Sequence, residues 1–230
     1  MEVGMKIPQL VLIVALTITF PHSVTAFAQS PRADTQDLLS MPIDNLELEA
    51  PNIHLLLSEL STQKRIPIGL EISPYDDLSQ TKTLRLEIKH GTLADALKSI
   101  VEQNPVYTWK LQDNVVNVLP IEANRDPLVR DVLEVKLEKF IIPQGTSRFT
   151  LRKTLSTTPE IKALLTQHDV IPEIQTFMSR DFLPLGKQYR LQAFHVTVAG
   201  LLNQVIRESQ TKYWIILRNG DRKQYFVLNL

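Results

Sequence analysis

The chain has 230 residues, with 25 Lys and Arg against 25 Asp and Glu, and no cysteine. A neutral balance excludes general nucleic-acid binding and electrostatic attachment to membranes, both of which need a basic surface. Lack of cysteine excludes disulfides, thiolate metal sites and a lipid-modified N-terminal cysteine, so stability must come from buried apolar cores.

Lys6 precedes an apolar run from Leu10 to Phe20, and Ala26-Phe27-Ala28 has the small-x-small form of a signal-peptidase site. The run is shorter than the ~20 residues that span a bilayer. Residues 1–28 therefore read as a secretory signal cleaved near Ala28, which predicts a periplasmic chain with no stable membrane span; an uncleaved anchor is the alternative. Residues 29–42 are polar, with Pro31, Ser40 and Pro42, and read as a disordered leader.

A first domain is expected over residues 43–119. Leu46 and Leu48 alternate with acids and open a strand. Pro51-Asn52 ends it and caps a helix whose stripe is Ile53, Leu56, Leu57 and Leu60. Ile66-Pro67-Ile68-Gly69-Leu70 is a short apolar run in which the proline suits an edge strand or a strand start. A loop at Ser73-Pro74-Tyr75-Asp76-Asp77 follows.

Leu84, Leu86 and Ile88 then alternate with Arg85, Glu87 and Lys89, the pattern of a half-buried strand. Thr92 and Asp95 form a capping box before the helical stripe Leu93, Ala96, Leu97, Ile100 and Val101. A tryptophan strand around Trp109, a turn at Asp113-Asn114 and a last strand over Val115–Val118 complete the unit.

This unit occurs twice. Arg85 and Arg190, His90 and His195, Thr92 and Thr197, and Trp109 and Trp214 all lie 105 positions apart. In the second copy Val198, Leu201, Leu202, Val205 and Ile206 hold the helical stripe, and Gly200 replaces the acid of the capping box. Asn219-Gly220 signals a hairpin turn before a strand over Gln224–Leu228. The fold class is thus α+β: two tandem two-layer βαββαββ modules with helices on one face of small mixed sheets.

Residues 120–131, polar with two prolines, read as a linker, and residues 132–230 as the second, diverged domain. Leu133, Val135 and Leu137 alternate with charges and suggest its first strand. Matching Val135 to Leu46 gives an offset of 89, so about 16 extra residues fall in an insertion over 145–187. Within it, helices are expected around Phe149–Leu155 and from Thr158-Pro159-Glu160, a strand over Val170–Met178, and an exposed apolar loop at Phe182-Leu183-Pro184-Leu185.

Leu84-x-Leu86-x-x-x-x-x-Thr92-Leu93-x-x-Ala96-Leu97 resembles the secretin and TonB short N-terminal domain. The preceding helix and apolar run, and the aromatic strand with hairpin that follows, are similar too; the likeness covers about 75 residues. The resemblance implies a periplasmic module that contacts other proteins, docking on a regulator in outer-membrane signal transducers or standing side by side in the rings of secretion channels. It implies no catalytic residue. No gate-forming channel domain and no transducer barrel is recognised in the sequence, so an accessory or free-standing relative is expected.

Chemistry-bearing constellations are few. His90 and His195 stand at the same place in both copies, two residues before the helix cap, and are weak ligand candidates. His168, Glu173 and Asp181 lack metal-helix spacing, and Asp76-Asp77 suits a solvated turn better than acid–base work. Gly-x-Ser-x-Gly, phosphate-loop and Rossmann patterns are absent, so no cofactor, no metal and no catalytic residue is assigned. The expected function is a non-enzymatic envelope interaction module, with other envelope proteins or a second copy as partner. Its candidate contacts are Ile66, Ile68 and Leu70 in the first domain and Phe182, Leu183 and Leu185 in the second. The alternative is a small periplasmic hydrolase or ligand-binding protein with a pocket between the two domains, lined by the insertion and the paired histidines.

Overall fold

The computed structural model describes residues 38–76, 83–172, 185, 189–219 and 225–229. The chain divides into two units, Met1–Arg32 and Ala33–Leu230. The expected signal and most of the leader lie outside the described residues, and all that follows concerns the second unit.

The fold is α+β. In chain order the elements are β1 (Pro42–Ala50), α1 (Ile53–Lys64), β2 (Ile68–Glu71), β3 (Leu84–Thr92), α2 (Leu93–Gln103), β4 (Tyr107–Gln112) and β5 (Val115–Pro120). They continue with α3 (Pro127–Glu134), β6 (Lys136–Ile142), α4 (Arg148–Ser156), α5 (Pro159–Gln167), β7 (Ile171–Pro172), β8 (Leu191–Thr197), α6 (Val198–Glu208), β9 (Tyr213–Asn219) and β10 (Tyr225–Asn229). The order β3-α2-β4-β5 returns as β8-α6-β9-β10.

Local signals explain these elements. Asn52 caps α1 by accepting from the Leu55 N–H at 2.9 Å, and the stripe Ile53, Leu56, Leu57 and Leu60 is buried. Asp95 Oδ2 accepts the Thr92 N–H at 2.8 Å while Thr92 Oγ1 accepts the Asp95 N–H at 3.3 Å, closing the capping box of α2. Thr197 caps α6 through the Gly200 N–H at 3.1 Å. Asp113 and Asn114 both take positive φ, 54° and 58°, as a type I′ turn between β4 and β5 requires.

Three sheets result among the described residues. β1 pairs with β3 and β6 with β8, both antiparallel, and six strands join in the order β4-β5-β2-β9-β10-β7. That long sheet is continuous across both sequence repeats. β2 lies between β5 and β9, parallel to each. β4 runs antiparallel to β5, and hence to β2, whereas its counterpart β9 runs parallel to β2. The second repeat is therefore reversed and turned over relative to the first. Trp109 contributes to the core beneath α1 and α2, while Trp214 contributes to the core beneath α3 and α6, on the opposite face of the sheet. Each core borrows from the other repeat: Val115 of β5 joins the second core, and Ile215 of β9 joins the first.

Four expectations are corrected. Leu38, Leu39 and Met41 pack half-buried on the first core and β1 already begins at Pro42, so the leader ends earlier than residue 42. Residues 120–131 are not a free linker: Pro120 pairs with Tyr107, and α3 starts at Pro127 behind Asp126, whose carboxylate accepts from Leu128 and Val129 N–H at 2.8 and 3.1 Å. Leu133 belongs to α3, with Leu128, Val129 and Val132 on the same buried stripe, and the following strand begins at Lys136. The strand registers Pro42↔Thr92 and Lys136↔Thr197 set the first-strand offset at 94 rather than 89, which leaves 11 extra residues in the second repeat instead of 16. They are absorbed where α4 and α5 replace the single helix α1, close to the two helices expected there. The strand expected over Val170–Met178 is described only as β7, and Gly220 of the second turn lies outside the described residues.

Candidate functional site

Two features stand out: the bare edge of β4, and a polar cavity beside it. β4 ends the six-stranded sheet, so its side away from β5 has no strand neighbour among the described residues. β9, its counterpart by the 105-residue offset, covers the same side with β2.

In-register neighbours point to one face of a sheet. Lys110 pairs with Asn117, Asn117 with Gly69 and Gly69 with Trp214, a row across β4, β5, β2 and β9. Thr108 pairs with Leu119, and Glu71 with Ile216, in the next row. On this face α3 and α6 cover β9 and stop short of β4, and a cavity of about 240 Å3 opens between them. Lys110, Asn117 and Trp214 line it from the sheet; Leu133 and Glu134 from the end of α3; Thr197 and Ala199 from the start of α6.

An ion pair forms part of its wall. Arg125 Nε and Nη2 donate to Glu71 Oε1 and Oε2 at 3.0 and 2.7 Å, with the Glu71 side chain 2% exposed. These bonds push the Arg125 guanidinium further above its ordinary range. Arg125 leads into α3, so the pair fastens the entry of that helix to the end of β2. Nearby, Tyr107 donates to Asp76 Oδ2 at 2.7 Å and accepts the Ser73 N–H at 3.1 Å. Burial and the hydrogen bond to Asp76 hold this phenol above its usual range. Asp76 is thus a structural partner. Asp77 lies outside the described residues.

Asn117 is 6% exposed, and its Nδ2 donates to the Val115 carbonyl at 3.1 Å. Its Oδ1 has no donor among the described residues. Lys110 and Glu134 make no ion pair among them either, although both are exposed. Trp214 is buried and donates through Nε1 to Asn203 Oδ1 at 3.0 Å.

The anticipated site residues fall elsewhere. Ile66, Ile68 and Leu70 are at most 1% exposed, and β2 is paired on both edges within the chain, so none can meet a partner. The apolar run reads as an edge only within its own repeat; the second repeat supplies β9. Leu185 is buried in the second core, its N–H donating to Thr146 O at 3.0 Å and its carbonyl accepting the Gln210 N–H at 3.1 Å. Phe182 and Leu183 lie outside the described residues. His90 and His195 stay exposed and apart from the cavity. Each faces a carboxylate across its strand pair, Asp44 for His90 and Glu138 for His195, at 3.1 Å in both cases. A pocket between the repeats does exist, but among the described residues neither histidine and no part of the insertion lines it.

Sequence reasoning passed over Glu71, Lys110, Asn117, Arg125 and Glu134. One signal was readable: Asn117 is a lone amide within the apolar run Val115–Leu119. Among the described residues no group of three or more His, Asp or Glu could hold a metal ion, and no helix is long and apolar enough to cross a membrane. Comparison with models of known families, with curated proteins and with solved structures found no match, so the likeness to the secretin and TonB short N-terminal domain rests on the residues quoted for it.

Proposed function

We propose that this chain is a non-enzymatic periplasmic interaction module, accessory to a secretion, pilus or signalling assembly of the envelope, that binds an extended segment of another envelope protein along the free edge of β4. One observation carries this reading. β9, the counterpart of β4, takes a parallel strand on the equivalent edge, and that strand is β2 of the same chain. Main-chain pairing at such an edge supplies affinity, and alternate side chains supply register. The internal example also describes the segment that fits: apolar, then glycine, then apolar, as in Ile68-Gly69-Leu70, with the glycine opposite a tryptophan. On β4 that tryptophan is Trp109.

The test is photo-crosslinking in the intact envelope. A benzoylphenylalanine at Thr108, exposed on β4, is expected to give a discrete adduct whose partner peptide is an extended segment of another envelope protein; the same residue at Glu87, exposed on β3, gives none. No adduct from position 108, or equal adducts from both positions, overturns the reading.

A further inference from the structure

The cavity beside β4 carries chemistry that edge pairing does not use. Its charged groups balance: Glu71 and Arg125 neutralise each other in the wall, leaving Lys110 and Glu134 at the margin with no ion pair among the described residues. Ala199 is the second residue of α6, and its N–H lies beyond the reach of the helix's own hydrogen bonds. The end of α6 that carries it favours negative charge. Asn117 lines the wall, and with its Nδ2 donating to the Val115 carbonyl its Oδ1 is the polar atom left to answer a ligand. Trp214 and Leu133 supply an apolar surface. At about 240 Å3 the space is below the ~300–1,000 Å3 of sites for drug-sized ligands, and suits one or two residues of peptide.

We infer that this cavity binds a short zwitterionic peptide of one or two residues with an apolar side chain. Lys110 and the Ala199 N–H receive the carboxylate, Glu134 the ammonium, and the amide oxygen of Asn117 a peptide N–H. The side chain lies against Trp214 and Leu133. Opposite charges on the two margins match a ligand charged at both ends, and a simple anion or cation would leave one margin unanswered. Nothing in this arrangement cleaves the ligand; it is a recognition site.

The probe is the dipeptide Ala-Leu, titrated into the 15N-labelled protein by NMR, alongside its N-acetyl and C-amide forms. Saturable shifts are expected at Lys110, Asn117 and the Trp214 indole N–H. Each blocked form should bind at least ten-fold more weakly. Lys110→Met should reduce the free dipeptide to the affinity of the amide form, and Glu134→Gln to that of the acetyl form. Both side chains are exposed, so the variants should fold. Lys110→Met also keeps the main-chain edge of β4, so the Thr108 adduct should survive in it, which separates the two proposals. Absence of saturable shifts at millimolar dipeptide, equal binding of the blocked forms, or variants that bind as the parent does would each overturn the inference.

Discussion

The indole of Trp214 lies over Gly69, its in-register partner on β2, so closely that a Cβ at position 69 would overlap Cε2, Cζ2 and Nε1 of the ring. The absence of a side chain on β2 is what allows the second repeat to seat its largest core residue against the first. Gly69→Ala should destabilise the protein by about 1–3 kcal/mol, as overpacking of a filled core does. The Asn203 bond at 3.0 Å restrains the ring from moving aside. Urea unfolding followed by tryptophan fluorescence checks this; an unchanged midpoint would show that the ring shifts freely.

Removing Arg125 would strand the Glu71 carboxylate, which is 2% exposed. Arg125→Met alone should cost about 3 kcal/mol or more, because an unpaired buried charge is left behind. The double change Glu71→Leu with Arg125→Met should recover most of that loss. A double-mutant cycle in urea gives the coupling, and additive losses would deny it.

His54 stacks on Tyr213 with ring centroids 5.6 Å apart, and its Nδ1 lies 3.0 Å from the Tyr213 hydroxyl. Burial lowers its pKa from the ordinary 6.5. Below that value the unfolded chain binds a proton that the folded chain resists, so stability falls as pH drops through 6.5 and levels off below the folded value. His54→Gln should flatten the slope between pH ~7.5 and ~5.5, above the range in which exposed carboxylates titrate. Thermal melts of parent and variant across this window decide it; parallel slopes would refute it.

Asp126 holds the first turn of α3 with two hydrogen bonds and lies 3.4 Å from Arg218 on β9. Asp126→Ala should cost about 1–2 kcal/mol. Amide exchange should quicken first in residues 127–134, before the rest of the second core. Uniform acceleration would mean that α3 does not open on its own.

How much of this was legible in the sequence follows the range of each interaction. Caps, stripes and the Asp113-Asn114 turn depend on residues within a few positions, and their patterns were plain. The union of β2 with β9 was not, because Gly69 and Trp214 stand 145 positions apart with no periodicity between them. A clue was present, since a glycine inside a strand marks a close approach of another group. Two prolines made 120–131 look like a linker, although Asp126-Pro127 is a helix start. Alternation at Leu133, Val135 and Leu137 spanned a helix end and a strand start, and so imitated one strand. The cavity draws on β4, β5, β2, β9, α3 and α6, and only the row Lys110–Asn117–Gly69–Trp214 assembles it. The likeness to the short N-terminal domain describes one repeat, and so could not foretell how two would join.

The exchange of Val115 and Ile215 between the cores has a consequence for cutting the chain. A fragment ending near Asn124 would carry β2 with a bare edge and a first core lacking Ile215; the remainder would carry β9 paired with β10 alone, its other edge bare, and lack Val115. Neither half is complete, and each holds what the other misses. Co-expressed as separate polypeptides, the two pieces should reassemble and behave as a split protein, with Gly69→Ala in one piece enough to keep them apart.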